Sequence, residues 1–143
     1  MYNFSALILV FLLIFAPNVQ SNEQTPDNVN TVEQFVAAFN AQDSDAMASL
    51  VVDDIEWLSI VGNKVIVEVK GKNNLIESMN NYFQSCLTCK SKLSKIVSTK
   101  SRVSAVEVAS WQGKSGPMSQ SAVSVYEFSE GLITRVYYFQ AEK

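Results

Sequence analysis

Val123-Ser-Val-Tyr-Glu-Phe-Ser-Glu-Gly-Leu-Ile-Thr-Arg-Val-Tyr-Tyr-Phe-Gln140 is the stretch on which the fold turns. Two runs rich in β-branched and aromatic residues flank Ser129-Glu130-Gly131, a short turn with glycine where positive φ is needed. That pattern is a β-hairpin. Its side chains are apolar at nearly every position, so both of its faces are expected to be covered. Upstream, the same period of two runs through Ser119–Phe128, Val103–Gln112 and Leu93–Thr99, joined by Gly113–Pro117 and Lys100-Ser101. Successive strands with tight connections predict an antiparallel meander.

Before Cys86 the period changes from 2 to 3.6. Asn30 with Glu33 three residues on makes a capping-box pattern, and Val32, Phe35, Val36 and Phe39 then form one apolar helical stripe. Asp43 or Ser44 caps a short second helix with Ala46, Met47, Leu50 and Val51 inward. Asp53-Asp54 leads into a strand over Ile55–Val61, which turns at Gly62-Asn63 and pairs back through Val65–Val69. Gly71 precedes a third helix, from about Asn73, carrying Leu75, Ile76, Met79, Tyr82 and Phe83 at helical spacing. Helices gathered early and a meander late give an α+β class, about six strands with three N-terminal helices on one face.

The 143 residues suit a single domain. Phe4–Ala16 is an apolar run of roughly 20 Å at helical rise, short of the roughly 30 Å hydrocarbon core of a bilayer. It reads as a signal peptide over residues 1–21, followed by a flexible linker over 22–29 and the domain over 30–143. A secreted or periplasmic location follows, with no stable membrane association after cleavage. The net charge of −3 gives no electrostatic footprint for nucleic acid, and Lys90, Lys92, Lys95, Lys100 and Arg102 read as the wet face of a strand. The absence of histidine removes Ser-His-Asp and Cys-His machinery, histidine-bound zinc and imidazole base catalysis.

The segments VVDDIEW, GKNNLIESMNNYF and YEFSEGLITRVYYF, in this order, resemble the SnoaL-like group of the nuclear transport factor 2-like superfamily over about residues 31–140. The resemblance implies a cone-shaped, strongly bent sheet wrapped around its helices, an apolar pocket between them, and commonly a homodimer through the outer sheet face. Members include isomerases, cyclases, hydrolases and plain binding modules, so fold does not choose function. At the position where a ketosteroid isomerase places its aspartate, this chain has Ser59, and Gln140 stands where the family often has an acid. Both departures remove a familiar catalytic agent.

Glu107, between Val106 and Val108, is the remaining catalytic candidate. Facing the pocket it would be a base; facing outward, the reading preferred from how rarely glutamate is buried, it is a rim charge or dimer contact. Asp53 and Asp54 are read as turn and cap residues, and Tyr82, Tyr126, Tyr137 and Tyr138 as packing residues that also offer hydroxyl donors. Trp57 and Ser59 share one strand face, which the resemblance turns toward the cavity. With Phe39, Phe83 and Tyr126 they make the expected ligand lining. Cys86-Leu-Thr-Cys89 lies at the wrong helix end for a reactive thiolate and lacks further metal ligands, so a local disulfide is expected, with no metal and no cofactor. The sequence thus points to an exported domain binding a small apolar molecule. The alternatives are an isomerase, cyclase or hydrolase using Glu107 or a tyrosine, and an interaction module acting through the outer sheet face.

Overall fold

The computed structural model describes residues 27–139 and 141. The expected signal peptide, most of the expected linker and Gln140 lie outside the described residues. The chain runs α1 (Asn28–Ala41), α2 (Ser44–Ser49), β1 (Val51–Val61), β2 (Lys64–Lys70), α3 (Lys72–Ser85), β3 (Lys90–Ser98), β4 (Arg102–Gly113), β5 (Gly116–Ser129) and β6 (Leu132–Phe139).

The helix starts follow side-chain chemistry. Asp27, not Asn30, caps α1 by accepting from the Asn30 amide at 3.1 Å, so the helix begins ahead of the expected capping box. Asn28 is buried and its amide donates to the Lys100 carbonyl at 3.2 Å, which ties down the end of the expected linker. Asp43 caps α2 through the Ala46 amide at 2.8 Å. Gly71, at φ +90°, makes the corner between β2 and α3, and its amide donates to the Ile55 carbonyl at 2.8 Å.

All strands join one open sheet in the order β2-β1-β6-β5-β4-β3. Neighbours are antiparallel except β1 and β6, which run parallel and bring the end of the chain beside its first strand. The β5–β6 hairpin closes through Glu130-Gly131 alone, with Ser129 opposite Leu132 and both turn residues at positive φ, the geometry that matches strand twist. The sheet bends because strands carry extra residues. Between Ser94↔Val106 and Val97↔Ser104, β3 advances one residue further than β4, with Lys95 at φ +50°. A similar slip at Glu127/Phe128 lies within the β5–β6 pair.

On the concave side Val32, Phe35, Met47, Leu75 and Phe83 from the helices meet Ile55, Tyr126, Ile133 and Val136 from the sheet. Side chains buried as completely as Leu75 and Val32, at 0% exposure, contribute about 1.5–3 kcal/mol each. The convex side is different. The expectation that the final hairpin is covered on both faces fails for the single chain: Val123 and Phe139 are 46% and 41% exposed. Among the described residues nothing packs over Val123 and Phe139 on the outer sheet, because the three helices belong to the concave side. Elsewhere on that face a charged row crosses five strands, Lys70–Glu56–Arg135–Glu127–Arg102, with adjacent contacts of 3.1, 3.0, 3.5 and 2.9 Å. Among the described residues, no helix is long and apolar enough to cross a membrane.

Candidate functional site

Between α1, α3 and the concave sheet lies a cavity of about 320 Å³. Its walls are mostly apolar and aromatic. Phe35 and Phe39 come from α1, Tyr82 from α3, Trp57 from β1 and Tyr138 from β6. Trp57 lies flat on Tyr138, with centroids 5.3 Å apart and planes 10° from parallel. Phe35 packs against both Trp57 and Tyr126 at 6.1 Å. Phe39 holds Tyr82 at 5.8 Å and Phe83 at 5.5 Å. Such tilted and stacked ring pairs each contribute about 0.5–1.5 kcal/mol beyond burial, so the walls are held in shape.

One polar knot interrupts this lining. Glu107 is 4% exposed and reaches the cavity wall from β4. The Tyr126 hydroxyl donates to its Oε1, the Tyr138 hydroxyl to its Oε2, and the Ser91 hydroxyl to Oε2 at 3.0 Å. Tyr138 lies two strands away from Glu107. It crosses β5 above small side chains, since Ser124 pairs with Tyr138 on one side and Ala105 on the other. Burial first, and the Glu107 carboxylate second, push the Tyr126 phenol well above its ordinary 10.0. Burial likewise raises Tyr138, with Tyr126 and Glu107 adding to it. Both phenols therefore stay protonated at physiological pH and act as donors.

Ser91 is positioned from the helix layer. The Asn40 side chain accepts from the Ser91 amide at 2.8 Å and donates to the Ser91 carbonyl at 2.8 Å, clamping β3 to the end of α1. At the same rim the Lys90 ammonium donates to the Asn40 carbonyl. Cys86 and Cys89 form a disulfide across the α3-to-β3 turn, and the Tyr82 hydroxyl donates to Cys89 Sγ at 3.3 Å. Cys89 thereby becomes part of the cavity rim.

The preferred outward placement of Glu107 is overturned. Val103 and Ala105 are buried on β4, at 0% and 3% exposure, and a period of two carries Glu107 to the same concave face. Phe39, Trp57, Ser59 and Tyr126 line the cavity, while Phe83 stands behind Phe39 in the core. Asp53 and Asp54 lie within β1 and exposed, rather than in a turn. Lys72 pairs with Asp53 at 2.8 Å and, by that hydrogen bond and its charge, lowers the Asp53 carboxyl pKa. Sequence reading missed Ser91 and the convergence of Tyr138 on Glu107. The shared phase of Val103, Ala105 and Glu107 was the available signal. Among the described residues, no group of three or more potential metal ligands is assembled.

A sequence model of the SnoaL-like domain matches residues 32–136, and the chain belongs to that family. No protein with a curated description matches it by sequence. A cystatin-fold protein from Novosphingobium aromaticivorans is similar at TM-score 0.69 and 21% identity, covering 79% of this chain and 97% of its own. An NTF2-like protein of unknown function from Cytophaga hutchinsonii is similar at TM-score 0.60 and 21% identity, covering 77% and 96%. TerC, co-crystallised with polyporic acid, is similar at TM-score 0.64 and 15% identity, covering 78% and 88%. At these identities the likeness establishes the nuclear transport factor 2-like fold.

Proposed function

We propose that this SnoaL-like domain binds a small, mostly apolar molecule in the cavity, with the polar end of that molecule at Glu107. The observation that carries the reading is a buried carboxylate held at the wall of a mostly apolar and aromatic cavity. Ligand pockets combine apolar walls with a few convergent polar groups, and about 320 Å³ lies at the small end of their range. Co-crystallisation of TerC with polyporic acid supports small-molecule binding on this fold. Thermal-shift screening of the purified chain against a library of small aromatic compounds tests the reading. Stabilisation by cavity-sized compounds, lost on Phe39→Trp filling of the cavity, is expected. A library without a single stabilising compound contradicts it.

A second reading, proton transfer with Glu107 as base, is favoured by the same inward placement beside two phenol donors. Its mark is turnover of an enolisable or epoxide substrate that disappears in Glu107→Gln. The remaining proposals concern context. The disulfide supports export to an oxidising compartment. Pairing of two chains through the exposed apolar end of the outer sheet is supported by Val123 and Phe139, and the oligomeric state in solution tests it.

A further inference from the structure

Three glutamates of the sheet, Glu56, Glu127 and Glu107, are satisfied in two ways. On the outer face Glu56 contacts Lys70 and Arg135, and Glu127 contacts Arg102 and Arg135. Glu107 is far more deeply buried, yet it takes part in none of the ion pairs among the described residues. Its partners are three neutral hydroxyls. They supply dipoles and no positive charge. A buried charge is ordinarily paired. Among the described residues the one cationic side chain on the cavity wall, Lys90, is at the exposed rim and spends its ammonium on the Asn40 carbonyl.

A carboxylate offers about four lone-pair sites. Among the described residues hydroxyls take one site on Oε1 and two on Oε2, which leaves one lone pair of Oε1 without a donor. Among the described residues no other carboxylate lines the cavity. The rings of Trp57, Phe35 and Tyr138 stand beside it, and aromatic faces attract a desolvated cation. Resting on the pocket reading above, we infer that the ligand is an organic cation: an aromatic or alicyclic body bearing a protonated amine, whose ammonium donates to Glu107 and supplies the charge the chain itself withholds.

Three probes that share a phenethyl body isolate the effect of the ligand's charge: phenethylamine, the neutral phenethyl alcohol and the anionic hydrocinnamate. Isothermal titration of the unaltered protein at neutral pH is expected to give an affinity order amine, alcohol, acid. The amine should exceed the alcohol by about tenfold or more, as one desolvated ion pair or cation–π contact implies. Glu107→Gln, close in shape, keeps one acceptor oxygen for a tyrosine, turns an amide N–H toward the other and removes the charge, and should bring amine and alcohol to within about twofold of each other. If the alcohol binds as tightly as the amine in the unaltered protein, the cation inference falls and the pocket stands. If none of the three binds, the pocket reading and the inference fall together. The decisive comparison is made on the unaltered chain, so a poorly folding variant does not rescue the proposal.

Discussion

On the convex face of the sheet, Glu56 and Glu127 sit in a row of alternating charges, each between two cations and open to water. On the concave face, Glu107 sits among phenols and a serine with almost no solvent access. The outer row is complete in the chain as it stands. Its ion pairs lie in high dielectric, where exposed pairs contribute little and salt screens them. The inner carboxylate has hydrogen bonds but no counter-charge among the described residues, at the wall of a cavity of about 320 Å³. The difference teaches where to look for function. Charge that is already paired is structural, and charge that is buried with dipoles alone is available.

The comparison breaks most visibly at Tyr126. Tyr126→Ala removes a fully buried ring and one of Glu107's donors, and a loss of about 3–5 kcal/mol is expected by urea denaturation. Tyr126→Phe keeps the ring and removes the donor alone, so a loss of about 1–3 kcal/mol is expected. If Tyr126→Phe were neutral, the knot around Glu107 would not be a stabilising network. Opening the disulfide with reductant comes next, since Cys89 leads directly into Lys90 and Ser91. The closed loop is small, so the loss should fall below the usual range of about 2–4 kcal/mol. A larger loss would mean that the turn organises the rim.

The two faces should also fail at opposite ends of the pH scale. Tyr126 and Tyr138 have raised folded pKa values, so their contribution is present below the ordinary 10.0 and is lost as pH rises beyond it. Lys70 first, then Arg135, lower the Glu56 carboxyl from its ordinary 4.5. That contribution is present above 4.5 and is lost as pH falls through the depressed folded value. Denaturation midpoints across pH, at low and high salt, should show an alkaline loss indifferent to salt and a smaller acid loss that salt removes. Equal salt sensitivity at both ends would erase the distinction. The smallest effect is expected for Arg135→Gln, which breaks the outer row at its centre while leaving probe binding in the cavity unchanged. Titration of the same three probes into that variant checks it.

Much of this architecture is legible in the sequence, for identifiable reasons. The switch of period from 3.6 to 2 after Cys89 separates helices from meander, and Gly131 marks the closing turn. What escapes is whatever depends on how far the sheet bends. The extra residue at Lys95 has no compositional mark, and that bend helps to decide which strands face the helices closely. Glu107 was misplaced because the rarity of buried glutamate outweighed the phase it shares with Val103 and Ala105. Its support comes from Ser91, Tyr126 and Tyr138, separated from it by 16, 19 and 31 residues, and no local pattern announces their convergence. The start of α1 shifted for a simpler reason, since Asp27 is as good a cap as Asn30 and lies one turn earlier.

A crystal structure of the unaltered chain soaked with phenethylamine tests the central claim most directly. The account predicts the ring between Phe35, Phe39 and Trp57 and the ammonium within hydrogen-bond distance of Glu107, with Tyr126 and Tyr138 still donating to the carboxylate. A cavity closed by its own side chains, or an amine held only at the outer charged row, would contradict it.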